Sequence, residues 1–306
     1  MAGSKSRRIG RCKPRTSFTT LIIAFLMLSG AAPPKPLVEL APSGPWNLHY
    51  ENESCKLRRS FGEGDGRVSI EMTRFGPGDS FQLILYGKPI KSLINRGKYK
   101  VAFGAFSPHD SKYATKAFDG NHIDVTILGL PGLAPRANPI RPEQLNKNIP
   151  FRSSITPAQE AAVTKLAITS QGQGNFLLNT GSLGPPFASW RTCISDLVRS
   201  WGVDPTAQFS SMATPLTSPA TWLSSFDYPT SALSENKEGL VYFRLSIDPN
   251  GKITQCSVQR AINQSEFARI TCDLISKRGR FTPARDLAGT PVPGFFISSV
   301  RFNIPG

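Results

Sequence analysis

Several stretches of the chain carry residue types that could support chemistry. Asn179-Thr180-Gly181-Ser182 follows the apolar run Phe176-Leu177-Leu178. It has the Thr-Gly pair of an Asp-Thr-Gly turn, in which the Asp carboxyl shares a proton with a second carboxylate. Here the ionising position is Asn179, which cannot do so, and the stretch reads as a glycine turn after a strand. Gly181-Ser182-Leu183-Gly184 lacks the glycine two residues before the serine that a strained nucleophile turn needs. His49, His109 and His122 are not spaced as zinc ligands and read as surface or capping residues. His109-Asp110 could orient a general base, but no nucleophile pairs with it. Gly62-Glu63-Gly64-Asp65-Gly66 is followed by neither Lys-Ser nor a strong helix, so it reads as a hairpin loop rather than a phosphate cradle. No catalytic, cofactor-binding or metal-binding set is therefore assigned. The chain reads as non-enzymatic, with an enzyme in its N-terminal part as the weakest alternative.

The other reactive groups are thiols, and their meaning depends on compartment. Lys5, Arg7, Arg8, Arg11, Lys13 and Arg15 precede the apolar run Leu21 to Leu28 and the small residues Ser29-Gly30-Ala31-Ala32. That is the layout of a secretory signal peptide over residues 1–32, with the mature chain starting near Ala32 or Pro33. The alternative is an uncleaved inner-membrane anchor, for which Phe18 to Ala32 is short. Cys12 leaves with the signal. The remaining Cys55, Cys193, Cys256 and Cys272 are an even set in an exported chain, which reads as two disulfides. Three connectivities exist, and a domain boundary near residue 204 favours Cys55–Cys193 with Cys256–Cys272. Buried free thiols are the alternative.

The leader also accounts for much of the charge. It supplies six of the net +15, leaving +9 without a dense basic block, so a nucleic-acid partner is not expected. At 306 residues, 39% apolar and 19% charged, the chain has the composition of a globular protein, with two domains expected.

A Pro-rich stub covers residues 33–45, and order is expected from Trp46. Alternation at Trp46/Leu48/Tyr50, Cys55/Leu57 and Val68/Ile70/Met72, then Phe81 to Tyr86, Val101-Ala102-Phe103 and Ile123 to Leu128, predicts a β-meander. The second half turns helical. Thr156-Pro157-Ala158-Gln159 is a capping box opening a helix to about Leu166. Trp190, Cys193, Ile194, Leu197, Val198 and Trp201 make one apolar helix stripe, ended by Gly202. Together residues 46–203 form a β-rich domain with helices packed on it, of unassigned ligand. Residues 204–227, rich in Ser, Thr, Pro and Ala, form a linker partly draped on one of the domains.

The last domain, residues 228–306, opens with Tyr228-Pro229 and alternates at Val241, Phe243, Leu245 and Ile247. Asp248-Pro249-Asn250-Gly251 is a turn. A strand through Ile253, Cys256 and Val258 follows, then helical spacing at Phe267, Ile270, Thr271 and Leu274. Arg280 to Asp286 breaks the helix, and Pro291 to Phe302 is a last strand. Cys272 lies at the margin of the helix stripe.

Tyr228-Pro229, Gly239, Ile247-Asp248-Pro249-Asn250-Gly251, Arg280-Phe281 with Pro283-Ala284, Gly289-Thr290-Pro291-Val292-Pro293 and Arg301-Phe302 occur in one order and spacing. In this the segment resembles the C-terminal domain of the TonB family, over about a quarter of the chain. Departures are Ala261-Ile262-Asn263-Gln264 and Glu266-Phe267, where many members carry a Ser-Ser-Gly turn and a Leu-Asp pair, and the added Cys256 and Cys272. The fold expected is α+β, with a small ββαβ domain built on a three-stranded antiparallel sheet at the C-terminus.

The resemblance implies a periplasmic protein that docks partner peptides by strand addition, in energy-coupled transport across the outer membrane. The partners implied are an outer-membrane receptor or other envelope protein, an inner-membrane motor complex, and a second copy of the chain as a homodimer. It assigns capture to the final strand, Phe296, Ile297, Ser298, Ser299, Val300, Arg301 and Phe302, which contains no Pro. The alternatives are that linker residues such as Trp222 cover this edge, or that the protein is a soluble periplasmic scaffold using the domain only for interaction. Two dozen linker residues span at most about 80 Å, and the long Pro-rich spacer of well-studied relatives is absent.

Overall fold

The computed structural model describes residues 37–90, 99–110, 114–118, 124–135, 155–170, 175–262 and 265–304. The expected signal peptide, His122 and the pair Asn263-Gln264 lie outside the described residues. Order begins earlier than Trp46. Leu37–Leu40 (β1) pairs in parallel with Asn175–Asn179 (β11), and a four-residue strand that depends on so distant a partner has no periodicity of its own to announce it.

Asn47–Glu51 (β2), Ser54–Phe61 (β3), Val68–Arg74 (β4) and Phe81–Tyr86 (β5) form an antiparallel meander. The run Gly62 to Gly66 turns β3 into β4. Tyr99–Phe103 (β6) and His109–Asp110 (β7) leave this sheet, and Ala114–Phe118 (β8) and Asp124–Leu130 (β9) return to it. The first sheet is therefore six-stranded, in the order β2-β3-β4-β5-β9-β8. The expected single meander is corrected at Val101-Ala102-Phe103, which belongs to a second sheet.

The second sheet runs β1-β11-β10-β6-β7, with Lys165–Ser170 as β10. The capping box at Thr156 forms as expected, with the Gln159 amide donating to Thr156 Oγ1 and the Thr156 amide to Gln159 Oε1. Its helix, α1, covers only Pro157–Ala162 and does not reach Leu166. From Val163 the pattern changes to period two, with Leu166 and Ile168 fully buried. Pairing with β6 and β11 outweighs the local helical preference.

Gly184–Ser200 (α2) buries Phe187, Trp190, Cys193, Ile194, Leu197 and Val198. Trp190 and Phe187 stack edge-on, and Phe81 meets both Trp190 and Phe103. One face of the six-stranded sheet, the second sheet and α2 thus enclose a common core. Each fully buried Leu or Ile there contributes about 1.5–3 kcal/mol. Trp190 Nε1 donates to Cys55 O at 2.9 Å, and a Cys55–Cys193 disulfide fastens α2 to β3.

The segment after Val203 is folded rather than loose. Phe209–Ser211 (β12) and Thr214–Pro215 (β13) precede the short helix Thr230–Ser234 (α3). Then come Gly239–Ile247 (β14), Ile253–Ile262 (β15), Ser265–Arg278 (α4), Phe281–Thr282 (β16), Ala284–Asp286 (β17), Pro291–Val292 (β18) and Gly294–Phe302 (β19). β12 pairs with β17, and β13 with β16. The last expected strand is divided at Pro293, which has no N–H to give a ladder: β18 pairs with β17, and β19 with β14. A second disulfide, Cys256–Cys272, joins β15 to α4.

Candidate protein-docking edge

β14 is central in the C-terminal sheet, between β15 and β19. Its odd residues Val241, Phe243, Leu245 and Ile247 are fully buried, and α4 packs on this sheet. The turn after it is held by Asp248, whose Oδ1 accepts from the amides of Asn250 and Lys252 at 2.9 Å each. Gly251 is required there twice over, because its φ is +78° and a Cβ would lie 2.0 Å from Phe281 O.

The even residues of β14 face the six-stranded sheet. Tyr242 stacks on Phe75 with ring centroids 5.3 Å apart. Arg244 forks onto Glu53 at 3.0 and 2.8 Å, donates to Ser246 and Ser257, and lies over the Trp201 ring at 4.6 Å. A bulge between Tyr242 and Phe243 lets two consecutive β15 side chains reach the same neighbour. Gln259 Nε2 donates to Phe75 O at 2.7 Å, and Arg260 Nη2 to Glu71 Oε1 at 2.9 Å. Glu71 is buried, and burial alone would push its carboxyl up. Hydrogen bonds and charges from Arg260 and Arg58, with Thr73, outweigh that and hold it below its ordinary value.

β19 is bonded on one side only. It pairs with β14 from Gly239↔Phe302 to Ile247↔Gly294, and among the described residues no strand pairs with its outer side. The residues expected to form the edge, Phe296 to Phe302, therefore lie on an edge strand. Phe296 packs on Trp222 and Phe281, and Phe302 stacks on Phe267 at 4.3 Å. On the other face Phe295 meets Trp201. Ile297 sits against Gly76, where a Cβ would come within 2.4 Å of Ile297 Cδ1. Ser299 and Arg301 are exposed. Trp222, the expected cover, touches the ring of Phe296 and does not pair with the strand's backbone. It is held by Arg278, which donates to Trp222 O at 2.9 Å and forks onto Asp227 at 2.6 and 2.8 Å. That fork is the main reason the Asp227 carboxyl stays well below the usual range.

Two grooves follow the edge. One of about 880 Å³ lies between Phe295 to Ser299, the rim of the six-stranded sheet and residues 212–219. The other, about 530 Å³, runs along Ser298 to Asn303 beside Trp222 and Tyr228.

The remaining candidates have structural surroundings. Thr180 O accepts from Trp46 Nε1 and Arg59 Nη1 at 3.2 and 2.6 Å, and Gly181 has φ +60°, so Asn179-Thr180-Gly181 is the turn into α2. His109 is buried against Phe103 with Nε2 3.2 Å from Leu133 O, and burial lowers its pKa despite bonds to Leu133 and Gly132. His49 is exposed on β2. Among the described residues no group of three His, Cys, Asp or Glu side chains is placed to hold a metal.

Sequence reasoning missed Glu53, Glu71, Arg244 and Arg260. Glu71, Arg244 and Arg260 sit on period-two strands, where they look like a solvent face, Glu53 sits in the turn between β2 and β3, and nothing in their spacing reveals that two such faces meet.

No curated protein matches the chain. Residues 224–304 match the family model of the Gram-negative bacterial TonB protein C-terminal, and this stretch is a TonB C-terminal domain.

Proposed function

We propose that this chain is a periplasmic TonB-family protein. Its C-terminal domain docks an envelope partner, foremost an outer-membrane receptor, by adding the partner's extended segment to the outer edge of β19. One observation carries the reading: a nine-residue strand, free of Pro, paired on one side and bordered on the other by two grooves. Strand addition needs backbone donors and acceptors and no catalytic side chain. The test uses the full chain and synthetic peptides from the N-terminal segments of outer-membrane receptors, with binding measured by calorimetry. Ser298 and Ser299 are adjacent, so their amides point to opposite sides of the strand. Of Ser298→Pro and Ser299→Pro, the variant that loses the outward donor keeps the near-UV spectrum of the parent and loses binding, while Ser299→Ala binds normally. If no peptide binds, or the folded Pro variant binds like the parent, capture at this edge is wrong.

A second reading is favoured by the contacts of Arg244 and Arg260. They hold the docking edge on the body of the molecule rather than at the tip of a spacer, and residues 209–215 are paired with β16 and β17. This supports a periplasmic scaffold over a motor-coupled transducer. Among the described residues no helix is long and apolar enough to cross a membrane. Fractionation of cells with N-terminal sequencing separates the two: the scaffold is recovered in the soluble periplasm starting near Ala32, the transducer in membranes starting at Met1 or Ala2.

A further inference from the structure

The larger groove contains a polar group with nothing to bind. β5 alternates, sending Leu83 and Leu85 into the core and Gln82 and Ile84 toward the C-terminal sheet. Gln82 lines the groove, is only 2% exposed, and neither its Nε2 nor its Oε1 has a hydrogen-bond partner. Its neighbours explain why. Across one ladder stands Thr73, whose hydroxyl is engaged with Glu71 at 2.8 Å and Arg260 at 3.3 Å. Across the other stands Gly129, which has no side chain, and a Cβ there would find only Tyr242 Oη, at 4.0 Å. A buried carboxamide with neither group paired is unfavourable. What relieves it must offer a donor and an acceptor together.

The walls narrow the choice. Phe75, Phe81, Leu130, Met212, Phe295 and Ile297 are apolar, the other polar side chains besides Gln82 are hydroxyls of Ser, Thr and Tyr, and among the described residues no charged side chain lines the groove. A carboxylate would enter without a cation, and a lysine without an acceptor pair. An apolar side chain would leave Gln82 as it is. A carboxamide satisfies both of its groups, N–H to O in each direction. A strand added to β19 sends alternate side chains to the face carrying Phe295 and Ile297, which is the side on which Gln82 waits.

We infer that this groove is a side-chain pocket for one Asn or Gln of the captured strand, read by the Gln82 carboxamide. The inference rests on strand capture at β19 and adds the N-terminal part of the chain as the specificity element.

The test uses the full chain and a nine-residue host peptide of alternating Thr and Val with one guest position, occupied in turn by Gln, Asn, Glu and Leu. On the parent, the better of the two amide guests binds about tenfold more tightly than Leu, as two neutral hydrogen bonds allow. On Gln82→Leu, which replaces an unpaired amide with an apolar side chain of similar size, that preference disappears. If the peptides bind but Leu equals the amides on the parent, or the preference survives in Gln82→Leu, the pocket is wrong and strand capture stands. If no host peptide binds, strand capture is decided by the receptor peptides alone. Propionamide then decides the pocket alone: a titratable shift of the Gly129 amide resonance, absent in Gln82→Leu, keeps it as an amide site, and no shift overturns it.

Discussion

Arg244→Met tests whether charge, and not only apolar contact, joins the C-terminal sheet to the six-stranded sheet. The Arg244 side chain is 2% exposed and Glu53 21%. Methionine keeps the stem but abandons the Glu53 carboxylate, the hydroxyls of Ser246 and Ser257, and the Trp201 face. Removing one member of a buried ion pair costs about 3–5 kcal/mol. Glu53 can partly rehydrate, so the expected loss is about 2–3 kcal/mol. Glu53→Gln leaves the guanidinium buried against a neutral acceptor, and the double variant should be more stable than the sum of the two losses by about 1.5–3 kcal/mol. Urea unfolding is followed by tryptophan fluorescence, where Trp201 reports on the seam, and by circular dichroism. The two traces coincide in the parent and separate in Arg244→Met as the C-terminal sheet detaches first. A coupling below about 0.5 kcal/mol would show that the Arg244–Glu53 pair adds almost nothing to the seam. The seam would then be held by Phe75, Tyr242 and Ile84 with the Gln259 and Arg260 contacts.

The two disulfides should differ in both worth and lability. Cys256–Cys272 spans 16 residues and Cys55–Cys193 spans 138, so chain entropy assigns them about 3 and about 5 kcal/mol. The half-buried Cys256–Cys272 pair is reduced by dithiothreitol before the fully buried Cys55–Cys193 pair; timed alkylation with peptide mapping checks the order, and the reverse order refutes it. Acid acts in two ranges. The lowered pKa of His109 means that the unfolded chain takes up a proton first, so stability falls as pH drops below 6.5, and this part is missing in His109→Gln. The depressed carboxyl of Glu71 stabilises the fold above 4.5 and loses that effect as pH falls further through its folded value. Unfolding of Glu71→Gln across pH 3 to 7 should lack this second loss; an unchanged profile would mean that the Glu71 contacts with Arg58 and Arg260 carry no net stability.

What was legible in the sequence is what local pattern encodes. The stripe from Trp190 to Val198 needs only helical spacing, and the Asp248 to Gly251 turn only its Pro and Gly, so both lie where they are expected. The α+β class and the antiparallel order of β14, β15 and β19 follow from the same signals. The short helix after Thr156 was overestimated because Val163, Leu166 and Ile168 fit either period, and only the presence of β6 and β11 decides between them. β1 was missed for the same reason. The candidate edge was legible as a strand without Pro. Its larger groove was not, because Gly76, Gln82 and Gly129, which help to line it, come from stretches far away in sequence, and small or neutral residues carry no signal of what they leave open.

The paired polar faces also bear on which surfaces can work. A three-stranded sheet with one helix has two faces and two edges to offer. Here α4 takes one face. The second carries Tyr242, Arg244, Gln259 and Arg260, and all four are engaged with the six-stranded sheet or its flanking residues. A partner, including a second copy of the chain, is left with the edges. Both outer strands are tied through side chains and paired on one side only among the described residues, and it is β19 that lies beside two grooves. Any copy pairing edge to edge at β19 would occupy the row of groups that an incoming peptide needs. Self-association there and peptide capture are therefore competing uses of one strand. The ion pairs at Glu53 and Glu71, far from that edge in sequence, help to withdraw the face from solvent and so leave the edges as the surface on which the proposed docking depends.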